Sequence, residues 1–160
     1  MRTLKAQLIS KENFSFYGTF SNMLEPKGNH LGSFYHDGVL FPVSGNMPLA
    51  FSTLVSDKQE PMVITSAEYH NYTGEGVLPL DDDVVIHVAP PSNKPVPELT
   101  EAFIVPKGTF VFLNAGVWHL AALPVHKDTV HILIALPERT YFNDCTVVEY
   151  APEDQFEIQI

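Results

Sequence analysis

The sequence predicts an all-β protein, built as an antiparallel sandwich or barrel with one short helix near its start. Thirteen prolines and nine glycines divide the 160 residues at short intervals. The segments between them are rich in Val, Ile, Phe and Leu, which favour strands. Few of these segments show helical periodicity, so helices are not expected to dominate.

The first predicted element is the helix Lys11–Tyr17. Ser10 can accept a hydrogen bond at its N-terminus, and Gly18 can end it. Ten strands are expected to follow, separated by Gly, Pro, Asn or Asp. They are Gly38–Val43, Ala50–Val55, Met62–His70, Gly76–Leu80, Val84–Ala89, Ala102–Val105, Thr109–Leu113, Trp118–Leu123, Val130–Leu136 and Thr146–Tyr150.

Two connections between these strands bear on the domain organisation. The run Asp81-Asp82-Asp83 separates two apolar strands and is interpreted as a solvated hairpin turn. The segment Pro90–Pro97 is proline-rich but short, which indicates a rigid loop rather than a linker between domains. Residues 1–160 are therefore expected to form a single domain.

Charge and composition argue against several classes of function. The net charge is −10, and the nine Lys and Arg residues are spread singly, so a nucleic-acid surface is not expected. No apolar run is long enough to cross a membrane, and the first residues do not resemble a signal peptide. The single cysteine, Cys145, excludes an internal disulfide and fits a reducing cytoplasm. The expected partner is a small molecule.

The first candidate site is the stretch GTFVFLNAGVWHL, from Gly108 to Leu120. An apolar strand leads into a tight turn at Gly116, and His119 follows the turn. Glycine suits such a turn because it adopts positive φ angles at little cost. This arrangement would present His119 inside the mouth of a barrel. The alternative is a structural histidine that caps one end of the barrel.

A second candidate site lies upstream, in SAEYHNYTGEG. Glu68 and His70 are two apart, so on a strand they point to the same face. A turn follows, and Glu75 opens the returning strand. If that hairpin pairs, Glu68, His70 and Glu75 converge, and another strand could add His119. Histidine and carboxylate ligands suit zinc or first-row divalent metals. The alternative is a surface strand that exposes Glu68 and His70, with Glu75 solvated.

These two stretches resemble the two motifs of the cupin superfamily, whose members are small β-barrels of the double-stranded β-helix or jelly-roll type. The second motif is matched by Gly108, Gly116 and His119. The first motif is matched at His70 and Glu75, and Glu68 stands where its first histidine would be. The resemblance implies a cupin-like antiparallel β-barrel with a short N-terminal helix.

A longer resemblance covers nearly the whole chain and is to the ureidoglycolate lyase family. Its marks, in chain order, are Phe14-Ser15-Phe16-Tyr17-Gly18, Tyr35-His36-Asp37, Glu68-Tyr69-His70, Lys94-Pro95, Val117-Trp118-His119 and Asn143-Asp144-Cys145. Members of that family are cytoplasmic homodimeric cupins that split ureidoglycolate into glyoxylate and urea during allantoin breakdown. They have been associated with a divalent metal, which here would be Ni, Zn, Mn or Fe.

The resemblance implies roles for particular residues. The implied metal ligands are Glu68, His70, Glu75 and His119. The implied catalytic acid–base groups are Glu68, His70 and His119. The implied substrate contacts are His36, Lys107 and Trp118. A cation is needed for the carboxylate of the substrate, and the candidates are Lys107 and Arg139.

The sequence also departs from the family pattern. Glu75 stands where the family has glutamine, Leu120 stands where it has a second histidine, and two arginines are missing. Two alternatives therefore stay open. One is a metal-dependent cupin isomerase, or another enzyme acting on a small sugar or hydroxy acid. The other is a non-catalytic cupin that binds a small molecule. His87 and His131 alternate with apolar residues and are interpreted as satisfied core histidines.

Overall fold

The computed structural model describes all 160 residues, and strands make up most of its regular structure. The strands, in chain order, are β1 Arg2–Lys5, β2 Gln7–Leu8, β3 Gly18–Asn22, β4 His30–Leu31, β5 Phe34–Tyr35, β6 Leu49–Asp57, β7 Val63–Ile64, β8 Ser66–Tyr69, β9 Glu75–Pro79, β10 Val84–Ala89, β11 Glu101–Val105, β12 Thr109–Leu113, β13 Trp118–His119, β14 Leu123–Pro124, β15 Thr129–Pro137, β16 Thr146–Glu149 and β17 Phe156–Gln159. The helices are α1 Lys11–Phe14 and α2 Thr140–Asn143, and a 3-10 turn spans Pro97–Leu99. None of them is long and apolar enough to span a membrane.

Two large sheets supply the main framework. One has the strand order β16-β8-β13-β10-β11-β2, with β14 also paired to β10, and the other has the order β3-β12-β9-β15-β6. A three-stranded sheet, β1-β17-β7, and the pair β4 and β5 complete the fold. The prediction of an all-β, cupin-like fold is confirmed. It needs two corrections: no strand pairing closes the two large sheets into a continuous barrel, and two strand pairs are parallel rather than antiparallel.

Side chains on the seven-stranded sheet point alternately to its two faces, and each face packs into its own hydrophobic core. Val84, Ile86 and Val88 of β10 lie in the core between the two large sheets, together with Val77 and Val111 of the opposite sheet. The intervening side chains of β10 point the other way, into a second core that the three-stranded sheet covers. The seven-stranded sheet is therefore the middle of three layers. Adjacent residues on its strands lie in different cores.

Helix α1 is a single turn and ends earlier than predicted. Ser10 accepts a hydrogen bond from the main-chain nitrogen of Asn13, and the Asn13 side chain accepts one from the nitrogen of Ser10. This capping box anchors Phe14, which is fully buried in the main core. Residues 15–17 form a turn after the helix, and Gly18 begins β3. An added Cβ at Gly18 would lie 1.8 Å from the carbonyl oxygen of Phe112 on the neighbouring strand.

Most of the predicted strands are present, but several have different limits. The predicted strand Gly38–Val43 is absent, and Leu40 within it is 67% exposed. The predicted strand Met62–His70 is divided at Thr65 into β7 and β8, which belong to different sheets. The predicted strand Trp118–Leu123 is likewise divided into β13 and β14. Strands β1 to β5 and β17 are not among the predicted ones, because their apolar runs are short and interrupted by polar residues.

The three aspartates after β9 do not form the predicted solvated hairpin turn. Two of them instead hold neighbouring loops together through hydrogen bonds to main-chain nitrogens. Strands β9 and β10 belong to different sheets, so residues 81–83 carry the chain from one sheet to the other. Asp82 is only 9% exposed, and its Oδ2 accepts hydrogen bonds from the nitrogens of His126 at 2.9 Å and Lys127 at 2.7 Å. Asp83 accepts one from the nitrogen of Lys107 at 2.8 Å. These carboxylates satisfy main-chain donors where the loops meet.

Candidate metal centre

Strands β8 and β13 of the seven-stranded sheet bring three of the predicted site residues together. Glu68 lies on β8 and His70 directly follows that strand, so their side chains share the face that looks toward the opposite large sheet. Strand β13 pairs with β8 in a register that places His119 opposite Glu68. Gly116, with φ of 81°, turns the chain into β13, and its nitrogen donates to the carbonyl of His70 at 2.7 Å.

The fourth residue, Glu75, comes from the other sheet. It is the first residue of β9 and pairs with Leu113 of β12. The hairpin predicted between β8 and β9 is wrong, because these strands do not pair and residues 71–74 cross the gap between the two sheets. Glu75 therefore reaches Glu68 and His70 by facing them across the interior. The predicted convergence occurs through packing of the sheets rather than through a shared hairpin.

The four side chains form a compact cluster. One potential ligand atom from each of Glu68, His70, Glu75 and His119 lies within 4.8 Å of the others. Oε2 of Glu75 is 3.0 Å from Nε2 of His70 and 3.2 Å from Nε2 of His119. Oε1 of Glu68 is 4.0 Å from Nε2 of His119. Both histidines and Glu75 are buried, whereas the side chain of Glu68 is 24% exposed. Glu68 is thus the most accessible member of the cluster.

Hydrogen bonds on the far side of each ring orient the two histidines. Nδ1 of His70 lies 2.7 Å from the carbonyl oxygen of Asp144, and Nδ1 of His119 lies 2.9 Å from that of Val117. A carbonyl oxygen only accepts, so each Nδ1 carries a hydrogen. In the neutral rings, both Nε2 atoms then direct a lone pair at Oε2 of Glu75. Such a contact between acceptors requires a proton or a metal ion among them.

The electrostatics of the cluster favour a charged carboxylate at its centre. Burial alone would raise the pKa of Glu75, but the hydrogen bonds and charges of His119 and His70 outweigh it and hold the pKa at about 2. Burial would lower the pKa of His119, yet Glu75 raises it overall. Two imidazole nitrogens and two carboxylates are a ligand set that zinc and first-row divalent metals accept. The donor set therefore fits a divalent metal site.

Two residues near the C-terminus support the cluster from outside. The carboxylate of Asp144 accepts hydrogen bonds from the nitrogens of Asn71 and Tyr72, both at 2.8 Å, in the segment that leads to Glu75. The thiol of Cys145 donates to Oε2 of Glu68 at 3.2 Å. Burial, together with Glu68, raises the pKa of this thiol to about 12. No local sequence pattern assigns Asp144 or Cys145 to the site, and the only indication of them in the sequence is their place in the stretch Asn143-Asp144-Cys145, which resembles the family.

Comparison with known proteins establishes the family of this chain. Residues 42–159 match the family described as ureidoglycolate lyase. The chain belongs to the ureidoglycolate lyase family. It is 30% identical over 137 residues to the ureidoglycolate lyases of Pseudomonas paraeruginosa and Pseudomonas aeruginosa, and each alignment covers 79% of both chains. The predicted family membership is confirmed.

A solved structure of Bacillus subtilis oxalate decarboxylase, studied for its Mn(II) centres, is also similar to this member of the ureidoglycolate lyase family. The two chains superpose with a TM-score of 0.44 at 12% identity. The superposition covers 63% of this chain and 23% of the decarboxylase. A similarity of this size says nothing about the metal or the reaction of the present protein.

Three further residues were predicted to contact the substrate of this ureidoglycolate lyase family member, and the structure does not bring them to the cluster. Trp118 is 2% exposed and points into the second core, since neighbouring residues on a strand face opposite sides. Its ring lies 4.5 Å from that of Tyr69, and its Nε1 donates to Oγ of Ser92. His36 lies after β5, where its Nδ1 is 3.0 Å from a carboxylate oxygen of Asp37.

Lys107, the third of these residues, is separated from the cluster by the length of a strand. The residue after it, Gly108, donates its main-chain hydrogen bond to Pro79, the last residue of β9, whereas Glu75 is the first. The other candidate cation, Arg139, is exposed and lies 3.2 Å from the carboxylate of Glu138. The substrate contacts assigned to Lys107, His36 and Trp118 stay predictions.

The interpretation of His87 and His131 as satisfied core histidines needs correction. His87 is 2% exposed, but it lies in the second core beside Phe156, and its Nε2 has no hydrogen-bond partner. Burial lowers the pKa of His87 to about 3, so the ring is neutral near pH 7. His131 is exposed and lies 2.7 Å from the carboxylate of Asp81. Neither histidine belongs to the cluster.

A cleft of about 280 Å³ opens beside the segment that joins His70 to Glu75. Its walls come from three parts of the chain: the loop before β6, the crossing between β8 and β9, and the region around α2. The lining residues are Pro42, Val43, Ser44, Met47, Tyr72, Thr73, Pro137, Glu138, Thr140, Asn143 and Asp144. Asp144 therefore both lines the cleft and orients His70 in the four-residue cluster.

Proposed function

We propose that this protein is a ureidoglycolate lyase, an enzyme that cleaves the carbon–nitrogen bond of ureidoglycolate to give glyoxylate and urea. The observation that carries the proposal is the convergence of Glu68, His70, Glu75 and His119 within 4.8 Å of one another, in a chain of this family. The relatives that are 30% identical to it carry the name ureidoglycolate lyase.

The reaction makes defined demands on a site. In ureidoglycolate, one carbon bears a hydroxyl, a carboxylate and the urea nitrogen. Cleavage requires a base that takes the hydroxyl proton as the carbonyl forms, and an acid that returns a proton to the departing nitrogen. A positive charge is also needed near the carboxylate of the substrate.

The cluster of Glu68, His70, Glu75 and His119 meets the demand for acid–base groups and could hold a metal ion. Glu68 and Glu75 together carry two negative charges, which a divalent ion would balance, and both histidines direct Nε2 toward the centre. When bound, such an ion supplies Lewis-acid polarisation of substrate oxygens. We infer that Ni, Zn, Mn or Fe occupies the site, because all four accept imidazole and carboxylate ligands.

The acid–base groups are proposed to be Glu68, His70 and His119. Their surroundings indicate which of them is freest to exchange a proton with the substrate. Both ring nitrogens of each histidine are engaged, one by a main-chain carbonyl and one by Glu75. Glu68 is the most exposed of the three, so a substrate reaches it first. Its carboxylate can take the hydroxyl proton and pass it to the urea nitrogen, which leaves the overall proton count unchanged.

The urea-release assay tests the proposal. Purified protein loaded with a divalent metal is expected to release urea from racemic ureidoglycolate faster than the spontaneous rate. His119→Ala is expected to lower kcat/KM by at least about 100-fold, because it removes a group from the reacting centre. The exposed His131→Ala serves as the matched control, because it removes an imidazole that lies outside the cluster. Lys107→Ala tests its predicted substrate contact in the same assay. Urea release no faster than the spontaneous rate with every metal would exclude ureidoglycolate as the substrate and favour the isomerase or binding alternatives.

Three predictions about the whole protein accompany the proposed activity. We infer a homodimer and a cytoplasmic location from the properties of the family. A single domain spanning residues 1–160 is inferred from the length of the chain and the absence of a linker. Light scattering of the purified protein would test the first of these directly.

A further inference from the structure

Cys145 is the one residue that hydrogen-bonds the carboxylate of Glu68. Its thiol donates to Oε2 at 3.2 Å, while Oε1 of the same carboxylate faces His119 at 4.0 Å. Strand β16, which follows Cys145, pairs with β8 in a register that sets Val147 opposite Glu68. The thiol thus approaches the carboxylate from the β16 side of β8, whereas His119 lies on the other side, on β13.

From this geometry we propose that Cys145 is a positioning residue, whose S–H bond holds Oε2 of Glu68 and leaves Oε1 for the ion and the substrate. The inference rests on the proposed function and concerns the same site. A carboxylate has two equivalent oxygens and can bind a metal through one or both. A hydrogen-bond donor held on one carboxylate oxygen favours metal binding through the other oxygen alone. It also fixes the orientation of the carboxylate plane.

The backbone around Cys145 is held in place well enough to serve this role. The preceding residue, Asp144, gives its carbonyl oxygen to Nδ1 of His70 and its carboxylate to the nitrogens of Asn71 and Tyr72. Two adjacent residues therefore support two proposed ligands near the end of β8, Asp144 supporting His70 and Cys145 supporting Glu68. Without the thiol, Oε2 of Glu68 would have no hydrogen-bond donor from the protein, and the carboxylate could rotate.

Cobalt titration tests the proposal without using the substrate. Metal-free wild type, Cys145→Ala, Cys145→Ser and the control Val147→Ala would be titrated with Co²⁺ while the visible absorption of the ion is recorded. Cys145→Ala is expected to weaken binding by about 10–100-fold, the usual cost of losing an outer hydrogen-bond partner, and to change the ligand-field spectrum. Cys145→Ser is expected to recover most of the affinity, because its hydroxyl also donates. Val147→Ala should match the wild type.

Three results would overturn the proposal. The first is a Cys145→Ala variant with the affinity and spectrum of the wild type. The second is a thiolate-to-cobalt charge-transfer band in the wild type that both cysteine variants lose, since Cys145 would then be a ligand itself. The third is a wild type that binds no Co²⁺ at all. Thermal unfolding of the metal-free proteins shows whether each variant is folded. Failure of the urea-release assay would leave all of these results unaffected.

Discussion

Single residues in this protein take their roles from partners that are distant in the chain. His70 and Asp144 are 74 positions apart, yet the carbonyl of Asp144 decides which ring nitrogen of His70 carries the hydrogen. His119 depends on a carbonyl only two positions away, that of Val117. Both rings end with Nε2 directed at Glu75. The tautomer of each histidine is thus set by the backbone rather than by the other members of the cluster.

At the same scale, Asp82 is expected to make stability depend on pH. Burial would raise the pKa of Asp82, but the hydrogen bonds from the nitrogens of Lys127 and His126 lower it overall. A lowered pKa in the folded protein stabilises it above the unfolded value of about 3.9, and this contribution disappears as the pH falls through the folded pKa.

The variant Asp82→Asn tests this dependence. At pH 7 it is expected to lower the free energy of unfolding by about 1 kcal/mol, because a neutral acceptor replaces a charged one. The difference from wild type should shrink below about pH 4, where the wild-type carboxylate also becomes protonated. Urea unfolding at pH 7, 5 and 3 measures it, with the exposed Asp154→Asn as control. A difference that stays constant down to pH 3 would contradict the assignment.

At the scale of elements, the decisive feature is how the chain crosses between the two large sheets. The segments 71–74, 81–83 and 114–117 each leave one sheet and enter the other. Two of these crossings carry site residues at their ends, Glu75 after the first and His119 after the third. The crossing at Gly74 packs closely against β12: an added Cβ there would lie 2.2 Å from Cζ of Phe112 and 2.3 Å from the carbonyl oxygen of Leu113.

Gly74→Ala is therefore expected to damage both stability and metal binding. The methyl group would push the crossing away from β12 and displace Glu75, the next residue. The matched control is Gly45→Ala, which meets no atom within 4 Å and is strained only by its φ of 67°. The control should lose about 1–2 kcal/mol of unfolding free energy and keep its metal affinity. Gly74→Ala should lose more, with weaker metal binding. Equal losses in both variants, with equal metal affinity, would contradict a special role for this crossing.

At the scale of the whole molecule, the cluster lies between the two large sheets. Glu68, His70 and His119 come from one sheet and Glu75 from the other, and no strand pairing joins the sheets. A metal ion held by all four would link the sheets directly. Such an ion binds only the folded chain, so it should stabilise the fold in proportion to the logarithm of its concentration.

Removal of metal with a chelator is accordingly expected to lower the unfolding temperature. At a free metal concentration of 100 times Kd the stabilisation is about 2.7 kcal/mol. Differential scanning calorimetry with and without added metal measures the shift. His119→Ala should lose most of it, whereas the exposed His131→Ala should keep it. A shift of the same size in both variants would place the stabilising ion elsewhere.

Much of the site was predictable because it depends on local geometry. The spacing of Glu68 and His70 puts them on one face of any strand, and Gly116 is required wherever the chain turns with positive φ before His119. The all-β class followed in the same way from the apolar segments and the turn residues between them. These are properties of a few neighbouring residues, and they hold in any fold that keeps the strands.

Other features depend on how strands far apart in the chain pack, which local sequence patterns do not reveal. The tertiary structure moved Glu75 from a hairpin partner of β8 to the facing sheet, and it added Asp144 and Cys145 as supports. It also placed Trp118 in a second core, because a third sheet covers the outer face of the seven-stranded one. Local patterns in the sequence thus identify the side chains that could hold a metal ion. Sheet packing decided which of them meet, because contacts between sheets depend on residues many positions apart.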